Sequence, residues 1–118
     1  MTDYARFRAG FAAALDPDFY PLSYLDELVA TSRGLLWTTN RAAIVAEIKT
    51  YPGGAKVIHG LVATGDLREI VETLIPKAEA WGREQGCRYA IIESREGWAR
   101  QLKGSGYETY QTSVRKVL

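Results

Sequence analysis

VIHGLVATGDLREIVETLIPKAEAWGREQGCRYAII, residues 57–92, decides the fold. It opens on an apolar run, Val57 to Val62, and closes on another, Tyr89 to Ile92, both suited to strands. The stretch between them has helical periodicity. Asp66 is placed to cap this helix and Glu69, three residues on, completes a capping box. Leu67, Ile70, Val71, Leu74, Ala78 and Trp81 are predicted as its buried stripe, with Arg68, Glu72, Lys77, Glu79 and Arg83 toward water. Pro76 removes a backbone donor, so a kink or interruption is predicted near Thr73, and Gly86 is the stop. A strand, a helix and a second strand in this order predict a parallel pair joined by a right-handed crossover. Cys87 to Ser94 is near-continuously apolar and is expected to be buried on both faces.

Upstream, Asp3 can cap a helix to about Leu15, with Phe7, Phe11, Ala14 and Leu15 on one face. A second helix is predicted from Pro21 and Ser23, with Leu22, Leu25, Leu28 and Val29 aligned and Gly34 as its stop. Leu35 to Thr39 and Ala42 to Tyr51 read as antiparallel strands around a tight turn at Asn40-Arg41. Pro52-Gly53-Gly54 turns the chain into a third strand, Ala55 to Ala63, completing a meander. Downstream, Glu96 to Lys103 is predicted as a short helix with Trp98 and Leu102 inward, broken at Gly104-Ser105-Gly106. Tyr107 to Leu118 is expected to be a closing antiparallel strand. The whole is one α/β domain over residues 1–118, an α+β arrangement around a mixed sheet.

Fifteen Lys and Arg stand against fourteen Asp and Glu, a formal net charge of +1, which gives no bulk attraction for nucleic acid or membrane. One cysteine, Cys87, cannot form an internal disulfide and reads as a small buried hydrophobe. With a single histidine no Cys/His metal cluster is expected, and no metal is predicted. No apolar stretch approaches the roughly 20 residues that span a bilayer, and the start MTDYARFRAGF has no signal-like apolar core, so a cytoplasmic address is expected. Trp37, Trp81 and Trp98 read as core or interface anchors.

The element order from Leu35 to Leu118 resembles the GNAT acetyltransferase superfamily. Two segments carry the resemblance most specifically. AEAWGREQGC, residues 78–87, is similar to the family's helix that closes on an aromatic-small pair before a glycine and a buried strand. REGWARQLKGSGYE, residues 95–108, is similar to its short helix followed by Gly-aromatic. The pieces GDL, SREGW and GY also resemble short GNAT-like proteins encoded by tailed phages and prophages. The family's first strand has no counterpart here, so the resemblance implies a fold truncated at that strand. The sheet edge so exposed would suit a homo-oligomer or a phage protein partner, with virion association if phage-encoded.

The resemblance implies acetyl-CoA as cofactor, held by Val62, Ala63, Thr64, Gly65 and Arg68, with the amides of Val62 to Gly65 at the thioester carbonyl and the turn Gly65 to Arg68 near the pyrophosphate. In the family that turn carries a basic or Gln residue and two glycines, because glycine lets backbone N–H groups approach a phosphate at a helix N-terminus. Counting back from Trp81, these fall on Asp66, Glu69 and Val71. The family's general-acid Tyr falls on Leu102, or on Lys103 one residue along. Lys103 is therefore a candidate proton donor, and His59, Glu93 and Glu47 are candidate bases, His59 having the intrinsic pKa for neutral pH. Three functions stay open: acetyl transfer to an amine, a non-catalytic phage or prophage accessory module retaining the fold, and a small-ligand sensor.

Overall fold

The computed structural model describes residues 2–93 and 97–118. Helices α1 (Thr2–Ala14) and α2 (Leu22–Ala30) precede strands β1 (Gly34–Thr38), β2 (Ala42–Thr50) and β3 (Lys56–Gly65). Helix α3 follows, α-helical over Leu67–Glu69 and Ile75–Glu84 with a π-helical segment, Ile70–Leu74, between them. Strand β4 (Tyr89–Ile92) and helix α4 (Gly97–Leu102), extended by a 3-10 turn at Lys103–Ser105, complete the elements. The sheet order is β1-β2-β3-β4, antiparallel except for the parallel β3–β4 pair.

The sheet is sandwiched between two helical layers. Ala42, Ile44, Ala46 and Ile58 face α3, where Ile70, Leu74, Ile75, Ala78 and Leu102 of α4 bury against them. Ala43 and Val45 alternate to the other side, against Phe11 of α1 and Leu25, Leu28 and Val29 of α2. Trp37 and Trp81 meet edge-on, with ring centroids 5.7 Å apart, which ties β1 to α3. Gly82 lets α3 settle on β3, since a Cβ there would lie 2.9 Å from Cγ2 of Ile58. The aromatic-small pair thus has a packing reason.

Strand β3 carries one irregularity. Val45 pairs with Val62 but Ala46 pairs with Gly60, so Leu61 is an extra residue bulging from β3. Gly60 is also the last β3 residue paired with β4, through Ile92. Beyond it β3 continues to Gly65, and no β4 residue pairs with that last stretch.

Pro76 acts as expected. The Ile75 N–H donates to the Ile70 carbonyl five residues back, so the helix widens into a π turn just before the residue that cannot donate. Gly86, at φ +81°, ends the helix.

Several expectations need correction. The helix α1 starts at Thr2, so Asp3 sits in its first turn rather than capping it, and Ala14 is exposed. α2 stops at Thr31, whose hydroxyl donates to the Glu27 carbonyl, and at Ser32 with φ 58°; Gly34 instead opens β1 pressed against Leu28. Leu67, the first residue of α3, is exposed, and Glu79 is drawn inward by Tyr107. β4 is a half-buried edge strand, not one buried on both faces, because β3 alone pairs with it. Ser94, the expected end of that strand, and Glu96, the expected start of the short helix, lie outside the described residues.

The largest correction is at the C-terminal end, where residues 107–118 form no strand. Neither alternate face of this stretch is continuously apolar: Tyr110, Thr112, Val114, Lys116 and Leu118 lie on one, Thr109, Gln111, Ser113 and Arg115 on the other. Its contacts are side-chain ones, from the Tyr107 hydroxyl to Glu79 at 2.6 Å and from Arg115 to Asp16 at 3.5 Å. The segment therefore spans from the α3 layer to the α1–α2 loop. Among the described residues no helix is long and apolar enough to cross a membrane.

Candidate functional site

A cleft of about 1010 Å³ lies where β3 runs on past its last residue paired with β4. Its floor is β3 from Ile58 to Thr64, with Ala90 to Glu93 opposite. Residues of α3 and α4, with Tyr107, wall one side; the end of α1 and the loop through Asp16, Phe19 and Tyr20 wall the other. α1 lies flush on this floor because a Cβ at Gly10 would stand 2.3 Å from Oγ1 of Thr64.

His59 is the chemically pointed group in the cleft. It is 2% exposed, and among the described residues neither ring nitrogen has a hydrogen-bond partner. Its Nε2 lies 3.3 Å from Oε1 of Glu93, close enough for an ion pair but without hydrogen-bond geometry. Glu47 is its cross-strand partner on β2, buried, and receives long hydrogen bonds from the Tyr24 hydroxyl at 3.3 and 3.4 Å. Burial lowers the His59 pKa, and the nearby Lys49 charge lowers it further, against the opposing pull of Glu93 and Glu47. The imidazole is thus neutral at pH 7 and able to accept a proton.

Val62, Ala63 and Thr64 line the cleft with His59 and Glu93. Gly65 and Arg68 sit past its end, Arg68 turned along the helix to Glu72 at 2.8 Å. Lys103 is exposed and does not line the cleft, while Leu102 is core. Tyr107, which the sequence placed in a strand, instead reaches the cleft wall. Burial and its hydrogen bond to Glu79 raise its pKa, so its proton is firmly held.

At the start of α3 the two carboxylates are not bare. Arg41, on the β1–β2 turn, meets Glu69 at 2.7 Å and Asp66 at 3.4 Å. The Asp66 side chain accepts from the Glu69 N–H, and the Asp66 N–H donates to the Arg41 carbonyl. The first half of the capping box therefore forms, while the Glu69 side chain goes to Arg41 instead of closing it. Of the backbone donors here, those of Asp66 and Glu69 are committed, leaving Leu67 and Arg68 for an anion. Arg41 carried no signal in the sequence, being 28 residues from Glu69. Among the described residues no group of three or more His, Cys, Asp or Glu could hold a metal ion.

No family model matches the chain, and no curated protein matches it. Solved structures do. An apo aminoglycoside antibiotic 6'-N-acetyltransferase from Acinetobacter haemolyticus is similar at TM-score 0.73 and 13% identity, over 99% of this chain and 92% of that one. A predicted acetyltransferase with acetyl-CoA from Clostridium acetobutylicum is similar at TM-score 0.73 and 9% identity, over 98% and 90%. An acetyltransferase from Trypanosoma brucei is similar at TM-score 0.68 and 15% identity, over 99% and 94%. At such identities the likeness is one of fold: the chain has the mixed-sheet fold of the GNAT acetyltransferases.

Proposed function

We propose that this chain binds acetyl-CoA in the cleft between β3 and β4 and transfers the acetyl group to an amine. The observation that carries the reading is the juxtaposition of the buried His59 with the strand edge Leu61 to Thr64, which has no β4 partner. The likeness in fold to acetyltransferases supports it.

The residues fit this cofactor at one end better than at the other. A strand edge without a β4 neighbour suits an extended, amide-bearing arm, because it offers backbone donors and acceptors in register. The N-terminus of α3 offers fewer free N–H groups than a glycine-rich cradle, but Arg41 offsets the charge of Asp66 and Glu69 there. Bound acetyl-CoA would supply the activated thioester acyl group. Amides along Val62 to Gly65 would polarise its carbonyl. His59 takes one proton from the incoming ammonium, and Glu93, exposed beside it, holds the imidazolium and connects it to solvent. The amine N–C bond then forms as the C–S bond breaks, and the amine's second surplus proton ends on the departing sulfur.

Calorimetric titration with acetyl-CoA and CoA tests the reading: binding in the micromolar range is expected, and none at high micromolar concentration rules it out. Arg41→Ala provides a second check. With Arg41 gone, two carboxylates face the pyrophosphate, so CoA affinity is expected to fall by about tenfold at low salt and the deficit to shrink as ionic strength rises. Affinity equal to the parent at low salt would remove the Gly65–Arg68 turn from the binding site.

A further inference from the structure

We infer that the acceptor is a small alkylamine bearing a second positive charge, a diamine or polyamine, rather than an amine that carries a carboxylate or phosphate. The inference names the acceptor of the transfer proposed above and rests on that reading for its chemistry. Its binding half stands on the cleft alone.

The charged residues lining the cleft are of one sign. Asp16, Glu79 and Glu93 contribute carboxylates, and no Lys or Arg lines it among the described residues. In a chain whose net charge is only +1, this is a local arrangement rather than a bulk acidity. A carboxylate cluster is not by itself a site. Here it shares the cleft with His59, which lines it beside Glu93, is 2% exposed and has no hydrogen-bond partner among the described residues. A neutral imidazole beside Glu93 can accept an N–H from an ammonium while the carboxylate offsets its charge.

The rim supplies the second contact. Asp16 already holds a cation, the Arg115 guanidinium at 3.5 Å, in an exposed pair that an ammonium can exchange with. Phe19 stands 61% exposed on the same wall, with Tyr20 beside it, and an aromatic face attracts an alkylammonium. The Tyr107 hydroxyl donates to Glu79, so that carboxylate is partly satisfied and the pull falls chiefly on Glu93 and Asp16. Lys49 is the cation that acts on His59 from the β2 side, and it is not among the lining residues. An acceptor with an anionic group would meet Glu93 with no cation of the lining to offset it, and at Asp16 would find only the exposed Arg115 guanidinium.

Calorimetry on the full chain without acetyl-CoA, using three probes of equal reach, tests this. They are 1,6-diaminohexane, hexylamine and 6-aminohexanoate, in low-salt buffer. The diamine is expected to bind at least about tenfold more tightly than 6-aminohexanoate, with hexylamine between them. Glu93→Gln and, separately, Asp16→Asn are each expected to weaken the diamine several-fold, while Glu84→Gln on the exposed last turn of α3 leaves it unchanged. Equal binding of the diamine and 6-aminohexanoate overturns the inference, as does no diamine binding, or an equal loss in Glu84→Gln. The outcomes separate it from the transfer reading. Diamine binding with no CoA binding keeps this inference and removes acetyl transfer, whereas acetylation of 6-aminohexanoate as fast as the diamine does the reverse.

Discussion

His59→Gln is expected to slow acetyl transfer by roughly 10²–10⁴-fold, the usual contribution of a positioned general base, with little change in CoA affinity. Glutamine nearly fills the imidazole's space and keeps polar atoms in the cleft, so a loss of this size would report the missing proton acceptor rather than a collapsed floor. Steady-state kinetics with a thiol reagent, alongside calorimetry, separates the two; a loss below about threefold would remove His59 from the chemistry. The pH profile gives an independent reading. Burial and Lys49 hold the His59 pKa below its ordinary value, so the acidic limb of kcat/KM is expected below that value too. Stability follows the same sign. Below about 6.5 the unfolded chain binds a proton that the folded His59 refuses, so the stability present above that pH declines as pH falls toward the depressed folded pKa. His59→Gln is expected to lose this part of the acid sensitivity, which denaturant titrations at two pH values would read.

Gly65→Ala is the substitution expected to damage the fold most. Gly65 holds φ +103°, and a Cβ there would stand 2.1 Å from the Arg41 carbonyl oxygen and 2.7 Å from the Ala42 Cα. Both are backbone atoms, and that carbonyl also accepts the Asp66 N–H that seats the start of α3. Relief would require moving the β1–β2 turn, the end of β3 and the helix start together. A cost of roughly 3 kcal/mol or more is expected, a large share of a stability of about 5–15 kcal/mol. The melting temperature should drop on the order of 10 °C. Gly54→Ala is the control, because Gly54 also has a left-handed φ, +92°, but nothing lies within 4 Å of its Cβ position. It should cost about 1–2 kcal/mol, the backbone component alone. Equal melting temperatures for the two variants would show that the crowding at Gly65 is relieved cheaply.

What the sequence made legible was whatever rests on local periodicity. The β1–β2–β3 meander, the crossover through α3, the interruption ahead of Pro76 and the inward Leu102 all follow from spacing and turn chemistry within a few residues. The tail from Tyr107 misled because Thr, Tyr and Val favour strands individually, while a strand also needs one apolar face and a partner edge. At the site, His59 and Glu93 could be named because each stands out by type. The shielding of Asp66 and Glu69 by Arg41, the reach of Tyr107 to the cleft wall and the carboxylate at Asp16 could not, since each depends on segments distant in the chain.

The bulge at Leu61 carries a consequence for insertions and deletions. A regular strand alternates faces, so residues five apart should oppose one another, yet His59 and Thr64 both face the α1–α2 side because Leu61 absorbs one step. Deleting Leu61 would restore an unbroken ladder with β2 and leave every other β3 side chain on its present face, keeping the core. It would also remove the bulge's local twist next to Gly60, the last residue paired with β4, and so alter the floor of the cleft. Adding a residue between Val62 and Gly65 would do the opposite, turning Ala63 and Thr64 toward the wrong layers. The strand is therefore tolerant of one lost residue and intolerant of one gained, and the tolerated change is the one that removes a residue lining the cleft.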